Sequence, residues 1–405
     1  MLLCILLPME KAMNKQILTV MFKEIKDNIR DKKTVMSSIF MGAIFGPVLL
    51  VVMMNAVSGM MKDKSEKQLE LHVDGMNNAK SFITFVQSQG AKVVEFSGNA
   101  KKAILNKDKE AILVIPSDFP KKFESGLPAV IQLYYDATAK GATNITQERI
   151  KALIKGYSRT IGMTRLQLRG ISPSLLQAVT IEDHDVSTAE SKGAKALAFL
   201  PYFLIMGLFM GSMYLAIDTM AGEKERNSLE SLLLNPIKRS HLLTGKLLAT
   251  ISFGIVTMFA TLLTFKFALP FMPFESMGIS FTFGVKNIVL FAILLAPLSI
   301  MAASLQTIIA TFSKSFKEAQ TYVSLLIFIP MIPSLILMMV PVKEKLWMMF
   351  VPILGQNLAI NQILRGEPVS MVWFIAVAVG SLIVGVLLAL LAIKLYNRES
   401  LLFSD

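Results

Sequence analysis

Six stretches of this sequence are each long and apolar enough to cross a lipid bilayer as a single helix. A bilayer core about 30 Å thick requires roughly 20 consecutive apolar residues in a helix. The stretches that approach or exceed this length are residues 34–57, 195–217, 242–269, 287–312, 319–340 and 371–395. The composition agrees, because 53% of the 405 residues are hydrophobic and only 17% are charged. The sequence therefore predicts an α-helical polytopic membrane protein with six transmembrane helices.

Basic residues are concentrated before the first span, between the second and third spans, and after the sixth span. Short segments rich in lysine and arginine stay on the cytoplasmic side of a membrane. The pattern predicts a multi-pass protein of the plasma membrane with both termini in the cytoplasm. We attribute the net charge of +12 to this topology, since no nucleic-acid-binding signature is present. The single cysteine, Cys4, excludes an internal disulfide.

Two polar segments lie outside the predicted spans. Residues 1–33 place apolar side chains and lysines at helical spacing, which predicts an amphipathic helix on the cytoplasmic leaflet or an ordinary solvated helix start. Residues 58–193 mix strand-like runs at 69–73, 111–115 and 130–135 with helix-like runs. We expect an α/β domain inserted between transmembrane helices 1 and 2, and the topology makes this domain extracytoplasmic.

The connection between the fifth and sixth spans, residues 341–370, is too apolar for a free loop and too short to cross the bilayer twice. Irregular backbone at membrane depth has to be buried in protein. We therefore expect a re-entrant or interfacial pair of short helices here. Residues 194–405 as a whole would carry transmembrane helices 2–6.

Small and uncharged polar residues within or beside the spans are candidates for helix contacts. Pairs of glycines four residues apart permit close helix packing, and they occur at Gly42, Gly46, Gly207 and Gly211. The polar candidates are Asn55, Gln306, Asn357 and Asn361. Hydrogen bonds between helices would explain such residues. Because hard cations prefer oxygen ligands, these polar residues are also candidates for a transport pathway.

Catalytic and nucleotide-binding motifs are missing from the sequence. The Gly245-Lys246 pair is followed by Leu247, and Ser240 stands where a P-loop would begin with glycine. The three histidines form no H-E-x-x-H pair, and no G-x-S-x-G nucleophile elbow occurs. We therefore expect a protein that is not an enzyme and binds no cofactor itself; the sequence defines no metal site.

A charged segment, AGEKERNSLESLLLNPIKRS at residues 221–240, separates the second and third spans. From Glu223 to Leu234 the pattern predicts a short helix with acidic residues at its start and leucines on one face. Pro236 would end that helix. A helix held between two spans can transmit a push, but the pattern is equally that of an ordinary interfacial helix.

This segment resembles the signature of ABC-2 type permeases, the membrane subunits of a class of ABC exporters. The matching positions are Gly222, Glu223, Glu225, Ser228, Leu229, Glu230, Leu232, Leu233, Pro236, Arg239, Gly245 and Lys246. Where many members carry glycine and threonine, this sequence has Asn227 and Ser228. The resemblance extends along the chain, through the basic start, the six spans, the large external domain and the broken helices before the sixth span. The segment beginning MNKQILTVMFKEIKDNIR is most similar to NatB-type permeases of sodium-exporting ABC transporters.

The resemblance implies a coupling helix at residues 221–240 that docks on a separate ATPase subunit, which would bind the ATP and Mg²⁺. The coupling residues would be Gly222, Glu223, Glu225, Leu229, Glu230, Leu232, Leu233, Pro236 and Arg239. It further implies two permease copies in a bacterial cell membrane and export of sodium ions by alternating access. Two alternatives stay open: an exporter of an amphipathic peptide, drug or lipid-like molecule, and a membrane-anchored receptor or sensor without transport.

Overall fold

The computed structural model describes residues 2–66, 68–136, 142–176, 182, 184, 188–228, 234, 236–274, 283–340 and 342–397. The chain divides into two compact units. The first, here called the membrane unit, consists of Met1–Asn55 and Val186–Asp405. The second, the sheet unit, is Ala56–Asp185.

Six helices among the described residues are long and apolar enough to span a membrane, as the sequence predicts. They are Met36–Met60, Leu200–Glu225, Arg239–Phe271, Val285–Phe312, Phe316–Met339 and Met371–Tyr396, here called the first to sixth spans. The largest difference from the sequence prediction is at the second span, which was expected to end at residue 217 and continues to Glu225. The α-helix Leu200–Ile217 passes into a π-helical segment, Asp218–Gly222, and then into Glu223–Glu225. The sequence analysis ended the span early because this extension contains polar residues.

The membrane unit has its core around the second, third and fourth spans. Within the most apolar window of each span, 78% of the second span is buried but only 22% of the fifth and 28% of the sixth. Apolar side chains such as Phe328, Ile332 and Leu387 point outward from these outer helices. Because lipid is as apolar as these side chains, such outward faces suit a membrane protein. Before the first span, the helices Leu2–Arg30 and Lys32–Val35 precede a π-helical turn, Met36–Phe40, and the helix Met41–Glu66.

The glycines that the sequence analysis selected lie where the first three spans meet. A Cβ atom on Gly42 would come within 2.9 Å of the Thr257 side chain, and one on Gly207 within 3.1 Å of the Gly42 carbonyl. A Cβ on Gly211 would overlap Thr257. On Gly46 it would lie 3.0 Å from Phe203 Cβ. The close approach of these helices therefore depends on the missing side chains.

The fifth span and the connection that follows it are broken into short helices. Within the fifth span, Phe316–Ser324 and Met331–Met339 are α-helical, and the 3₁₀ segment Leu325–Phe328 lies between them. Beyond it, Leu346–Met349 and Leu354–Leu364 are two short helices within the predicted re-entrant segment. The second of these is almost entirely buried in protein, as a broken helix at membrane depth requires.

The sheet unit contains a small four-stranded sheet and several helices. The strands are β1 (Glu70–Asp74), β2 (Lys92–Glu95), β3 (Ala111–Val114) and β4 (Gln132–Tyr135). Their order is β2-β1-β3-β4, with β1 parallel to β2 and β3, and β4 antiparallel to β3. The helices of this unit are Lys80–Ser88, Ala100–Leu105, Phe119–Glu124 and Ala142–Leu168. The predicted strand-like runs coincide with β1, β3 and β4, whereas β2 was not predicted.

One face of this sheet packs against two of the helices. Leu71 and Val73 of β1 and Leu113 of β3 are buried together with Phe82. The Phe82 ring contacts the Tyr157 ring of the helix Ala142–Leu168 edge-on, at 5.2 Å between centroids. The alternation of buried and exposed residues along β1 follows from the two-residue period of a strand.

Candidate functional site

The segment predicted to be the coupling helix begins differently from the sequence prediction. A continuous helix from Glu223 to Leu234 was expected, but the helix that contains Glu223 is the end of the second span and stops at Arg226. Asn227 follows in the left-handed region, with φ = +55°. Asparagine tolerates this conformation better than other residues with a side chain. Asn227 therefore makes a bend, and any coupling helix starts after it.

A buried ion pair joins the end of the second span to the start of the third. The Lys246 ammonium group contacts the Glu223 carboxylate and donates a hydrogen bond of 2.8 Å to the Thr219 carbonyl. The Lys246 side chain is 0% exposed and that of Glu223 is 8% exposed. Removing one partner of such a pair leaves an uncompensated buried charge. This pair therefore fixes the two spans to each other at the base of the charged segment.

The N-terminal helix brings a second carboxylate to this ion pair. Gly245 accommodates the helix, because a Cβ atom there would lie 2.7 Å from Val20 Cβ. One turn after Val20 on the N-terminal helix, Glu24 is buried and interacts electrostatically with both Lys246 and Glu223. Burial raises the pKa of Glu24, the charge of Glu223 raises it further, and Lys246 opposes the shift. Glu24, Glu223 and Lys246 are called the junction cluster below.

Shorter-range contacts complete the polar end of the second span. Arg226 donates a hydrogen bond of 2.9 Å to the Asp218 carboxylate across the π-helical segment. The Ser228 hydroxyl donates to the Glu223 carbonyl at 3.2 Å. A cavity of about 390 Å³ lies beside these groups and the N-terminal helix. These contacts tie the bend at Asn227 to the helix that precedes it.

Glu225 connects the same region to the fifth span. Its carboxylate accepts a hydrogen bond of 2.6 Å from the backbone N–H of Phe316, the first residue of that span. The Phe316 ring also lies against the Tyr214 ring of the second span, with 5.4 Å between centroids. Sequence reasoning placed Glu225 on a coupling surface and gave no indication of this contact, which joins residues 91 positions apart.

The remaining predicted coupling residues are only partly described. Gly222 is buried, Pro236 is exposed, and Arg239 begins the helix Arg239–Ala268 of the third span. The positions outside the described residues are Leu229, Glu230, Leu232 and Leu233. Their role in coupling stays a prediction.

At the other end of the membrane unit, uncharged polar side chains surround the broken helix Leu354–Leu364. The Ser334 hydroxyl of the fifth span donates to Asn357 Oδ1 at 2.7 Å. Gln356 Nε2 donates to the Ser381 hydroxyl of the sixth span. Gln356 Oε1 accepts from the N–H of Ile353, a residue with φ = +70°. We call Ser334, Gln356, Asn357 and Ser381 the broken-helix network.

A cavity of about 590 Å³ adjoins this network. Its walls are mostly apolar, and they include Ala194, Ala198, Leu337, Met338 and Leu358. The polar groups are Ser191, Ser334, Asn361, and the ion pair in which Arg365 donates to Glu344 at 2.7 Å. The arrangement offers an apolar volume with a few fixed polar contacts, as ligand cavities typically do.

The four candidate pathway residues do not form one site. Asn357 and Asn361 lie together, because Asn361 Nδ2 donates to the Asn357 carbonyl at 2.9 Å. Gln306 instead donates to the Phe209 carbonyl between the fourth and second spans. Asn55 donates to the Phe271 carbonyl at the end of the third span. Interhelical hydrogen bonding thus accounts for Gln306 and Asn55, whereas Asn361 lines the cavity.

Sequence reasoning did not identify the partners of Lys246 and Ser334. Lys246 stands inside an apolar run, and a lysine in that setting requires a buried partner or an exit to water. This signal could have indicated a nearby carboxylate, but the sequence analysis did not use it. Ser334 gave no comparable signal, since serine is common in membrane spans. Among the described residues, no group of three or more His, Cys, Asp and Glu side chains could hold a metal ion.

Comparison with known proteins places this geometry in context. The sequence profile of the ABC-2 family transporter proteins matches residues 36–394. The ABC transporter permease protein NatB of Bacillus subtilis is 29% identical over 359 residues, which cover 85% of this chain and 88% of NatB. An uncharacterized protein of Methanocaldococcus jannaschii, MJ1024, is 25% identical over 347 residues, covering 82% of this chain and 79% of that protein. The profile includes Glu223, Lys246 and the broken-helix network, and it begins after Glu24.

Proposed function

Because the chain belongs to the ABC-2 family of transporter proteins, whose members are permease subunits of ABC transporters, we propose that it exports sodium ions with energy from a separate ATPase. Two copies of the chain would form the membrane part of the exporter. Two ATPase subunits would bind the charged segments on the cytoplasmic side, and they would hold the ATP and Mg²⁺. The sheet unit would lie outside the cell and both termini inside.

The observation that carries the proposal is the buried contact of Glu223 with Lys246. It closes the base of the segment between the second and third spans, so a force applied to that segment reaches both spans together. The bend at Asn227 would then present the following residues to the ATPase. A two-state shift of packed helices is the usual structural form of such coupling.

Sodium as the substrate is supported by the resemblance of the N-terminal sequence to sodium exporters. Side-chain oxygens near the 590 Å³ cavity would assist a hard cation, notably those of Ser334 and Asn361. Glu344 already pairs with Arg365, so a cation there would be coordinated mainly by neutral oxygens. A pathway past Asn361 is part of the proposal.

The proposal is tested with the permease and its ATPase reconstituted in vesicles and sodium flux measured after ATP is added. We expect ATP-dependent sodium movement that disappears when the P-loop lysine of the ATPase is replaced. The matched permease variants are Leu233→Asp, in the segment proposed to dock, and Leu127→Asp, at an exposed position of the sheet unit. Export should be lost with Leu233→Asp only. Equal sodium flux in all vesicles, with or without ATP, would reject the proposal.

A second candidate substrate is an amphipathic organic molecule, and the cavity is the observation that favours it. A volume of about 590 Å³ with mainly apolar walls is within the range that drug-sized ligands occupy. Replacing Ala198 with Trp would fill part of this volume. If export of a fluorescent amphiphile required ATP and was blocked by Ala198→Trp, while no sodium moved, the organic substrate would replace sodium.

A further inference from the structure

The start of the fifth span satisfies its backbone in an unusual way. At this helix start the Ser315 hydroxyl accepts from the N–H of Glu318, and the Glu318 carboxylate accepts from the N–H of Lys314. These two contacts are local and resemble a capping box, except that Glu318 accepts from the residue before the N-cap Ser315. The N–H of Phe316 is different, because it donates to Glu225 at the end of the second span. A carboxylate at a helix N-terminus is also favoured by the helix dipole.

The contact is reinforced by packing on the same turn. The Tyr214 and Phe316 rings meet 5.4 Å apart, so the first turn of the fifth span is held against the second span. Glu225 belongs to the short helix Glu223–Glu225, which ends at the bend before the segment proposed to dock. A displacement of that segment is therefore passed to Glu225 at its beginning and to Arg239 of the third span at its end.

The opposite end of the fifth span forms part of the cavity. Ser334 bonds Asn357 of the broken helix, and Leu337 and Met338 line the 590 Å³ cavity. Residues 316 and 337 are separated by about 30 Å of helix at 1.5 Å per residue. Between these ends one face of the span, with Ala319, Val323 and Leu326, is buried in the core of the membrane unit, and the rest of the span is exposed. The fifth span therefore connects the contact at Glu225 to the cavity as a packed element.

We propose that Glu225 is a positioning residue that transmits movement of the charged segment to the fifth span, and through it to the cavity beside Asn357. The inference rests on the proposed function, since it assumes an ATPase that moves this segment. It adds a second route to the one through the third span. The Glu223–Lys246 pair moves the third span, whereas the Glu225–Phe316 hydrogen bond moves the fifth.

The test compares three variants that differ in which contact they remove. Glu225→Ala deletes the acceptor for the Phe316 N–H, and Glu225→Gln keeps an oxygen acceptor at that place. The matched control is Glu318→Ala, which removes a carboxylate from the same helix start but only a local contact. Each variant is made on a Cys4→Ser background with cysteine labels at Met339 and Met371, which are exposed at the ends of the fifth and sixth spans.

The labelled permease is reconstituted with its ATPase, and the distance between the labels is measured with and without ATP. We expect an ATP-dependent change in the parent protein, in Glu225→Gln and in Glu318→Ala. In Glu225→Ala the change should be lost and transport per ATP hydrolysed should fall roughly tenfold, a size that coupling along a contact network can reach. Binding of the ATPase to Glu225→Ala should be unchanged.

Three results would overturn the inference: a normal distance change in Glu225→Ala, an equal loss in Glu318→Ala, or loss of ATPase binding by Glu225→Ala, which would make Glu225 a docking residue. The proposed function is judged separately. If the labels move with ATP and only Glu225→Ala fails, the inference holds even where sodium is not the exported species. If the parent protein shows no movement at all, the inference is rejected, and the sodium flux measurement alone decides the proposed function.

Discussion

The junction cluster and the broken-helix network lie toward opposite ends of the membrane unit and bury polar groups in different ways. At the junction, Glu24, Glu223 and Lys246 come from three elements and are ionisable groups buried together. In the broken-helix network, neutral pairs such as Ser334 with Asn357 satisfy the polar groups of an interrupted helix. Along the fifth span, Ser334 lies 18 residues beyond Phe316, which contacts Glu225, or about 27 Å at 1.5 Å per residue.

The difference separates the two tasks of a transporter. Separating the two members of a buried ion pair leaves an uncompensated charge, so such a pair suits a joint that has to move as one piece. Neutral amides and hydroxyls exchange partners at lower cost, so they suit a region where the backbone is irregular and a substrate passes. The predictions below test this contrast from its largest expected effect to its smallest.

The largest effect is expected from Lys246→Met. It removes the positive charge and leaves Glu223 buried without its partner, which should lower the free energy of unfolding by about 3–5 kcal/mol. The matched variant is the double substitution Lys246→Met with Glu223→Gln, which removes both charges and should recover most of the loss. The measurement is the fraction of monodisperse protein after heating in detergent. Equal melting of the parent protein and Lys246→Met would show that the pair contributes no stability.

A smaller effect is expected from Gly355→Ala at the other end. The added Cβ would lie 2.5 Å from the Met349 carbonyl, which is backbone and cannot rotate away. Overpacking of this kind costs about 1–3 kcal/mol. Gly59→Ala is the control, because nothing lies within 4 Å of a Cβ there. The same heating assay should show a lower melting temperature for Gly355→Ala alone; a normal value would mean that the broken helix can shift.

The two ends also differ in how far the sequence predicted them. The six spans and the break before the sixth followed from apolar length and from irregular sequence, because the bilayer imposes both. The π-helical extension to Glu225 was not predicted, since its polar residues resemble the start of a loop. The Glu223–Lys246 pair depends on two residues 23 positions apart, and nothing in a single sequence states which carboxylate a buried lysine meets.

The candidate pathway residues show the same limit. Asn357 and Asn361 lie one helical turn apart, so their proximity followed from the helix itself. Gln306 and Asn55 were grouped with them by residue type alone, and the structure separates them because tertiary packing decides which helices face each other. The cavity was not predicted either, since its walls come from three separated segments.

The third prediction concerns the effect of pH on the junction cluster. Burial raises the pKa of Glu24 above the ordinary value of 4.5, so the folded protein holds this proton more readily than the unfolded chain. The resulting stabilisation is complete below the unfolded pKa and is lost as pH rises through the folded pKa. The contribution of Glu24 to stability should therefore fall as pH rises above about 4.5, and Glu24→Gln should remove this contribution from the slope of stability against pH.

Asp27→Asn is the control for this measurement. Asp27 lies on the same helix, but its side chain is 56% exposed. The Asp27→Asn substitution should leave the slope of melting temperature against pH unchanged. If Glu24→Gln and Asp27→Asn gave the same slope as the parent protein, the junction cluster would not bind a proton in this range.

The smallest effect is expected at Asn227, where the left-handed backbone conformation, and not a charge, produces the bend after Glu225. With φ = +55°, this position favours glycine, and asparagine occupies it at little cost. Asn227→Gly should leave stability and coupling close to those of the parent protein. Asn227→Val should destabilise by about 1–2 kcal/mol, because a β-branched side chain is strained in the left-handed region. Heating in detergent measures the first quantity, and ATPase activity stimulated by the reconstituted permease measures the second. If valine were tolerated as well as glycine, the bend would not be required, and the charged contacts alone would define the junction.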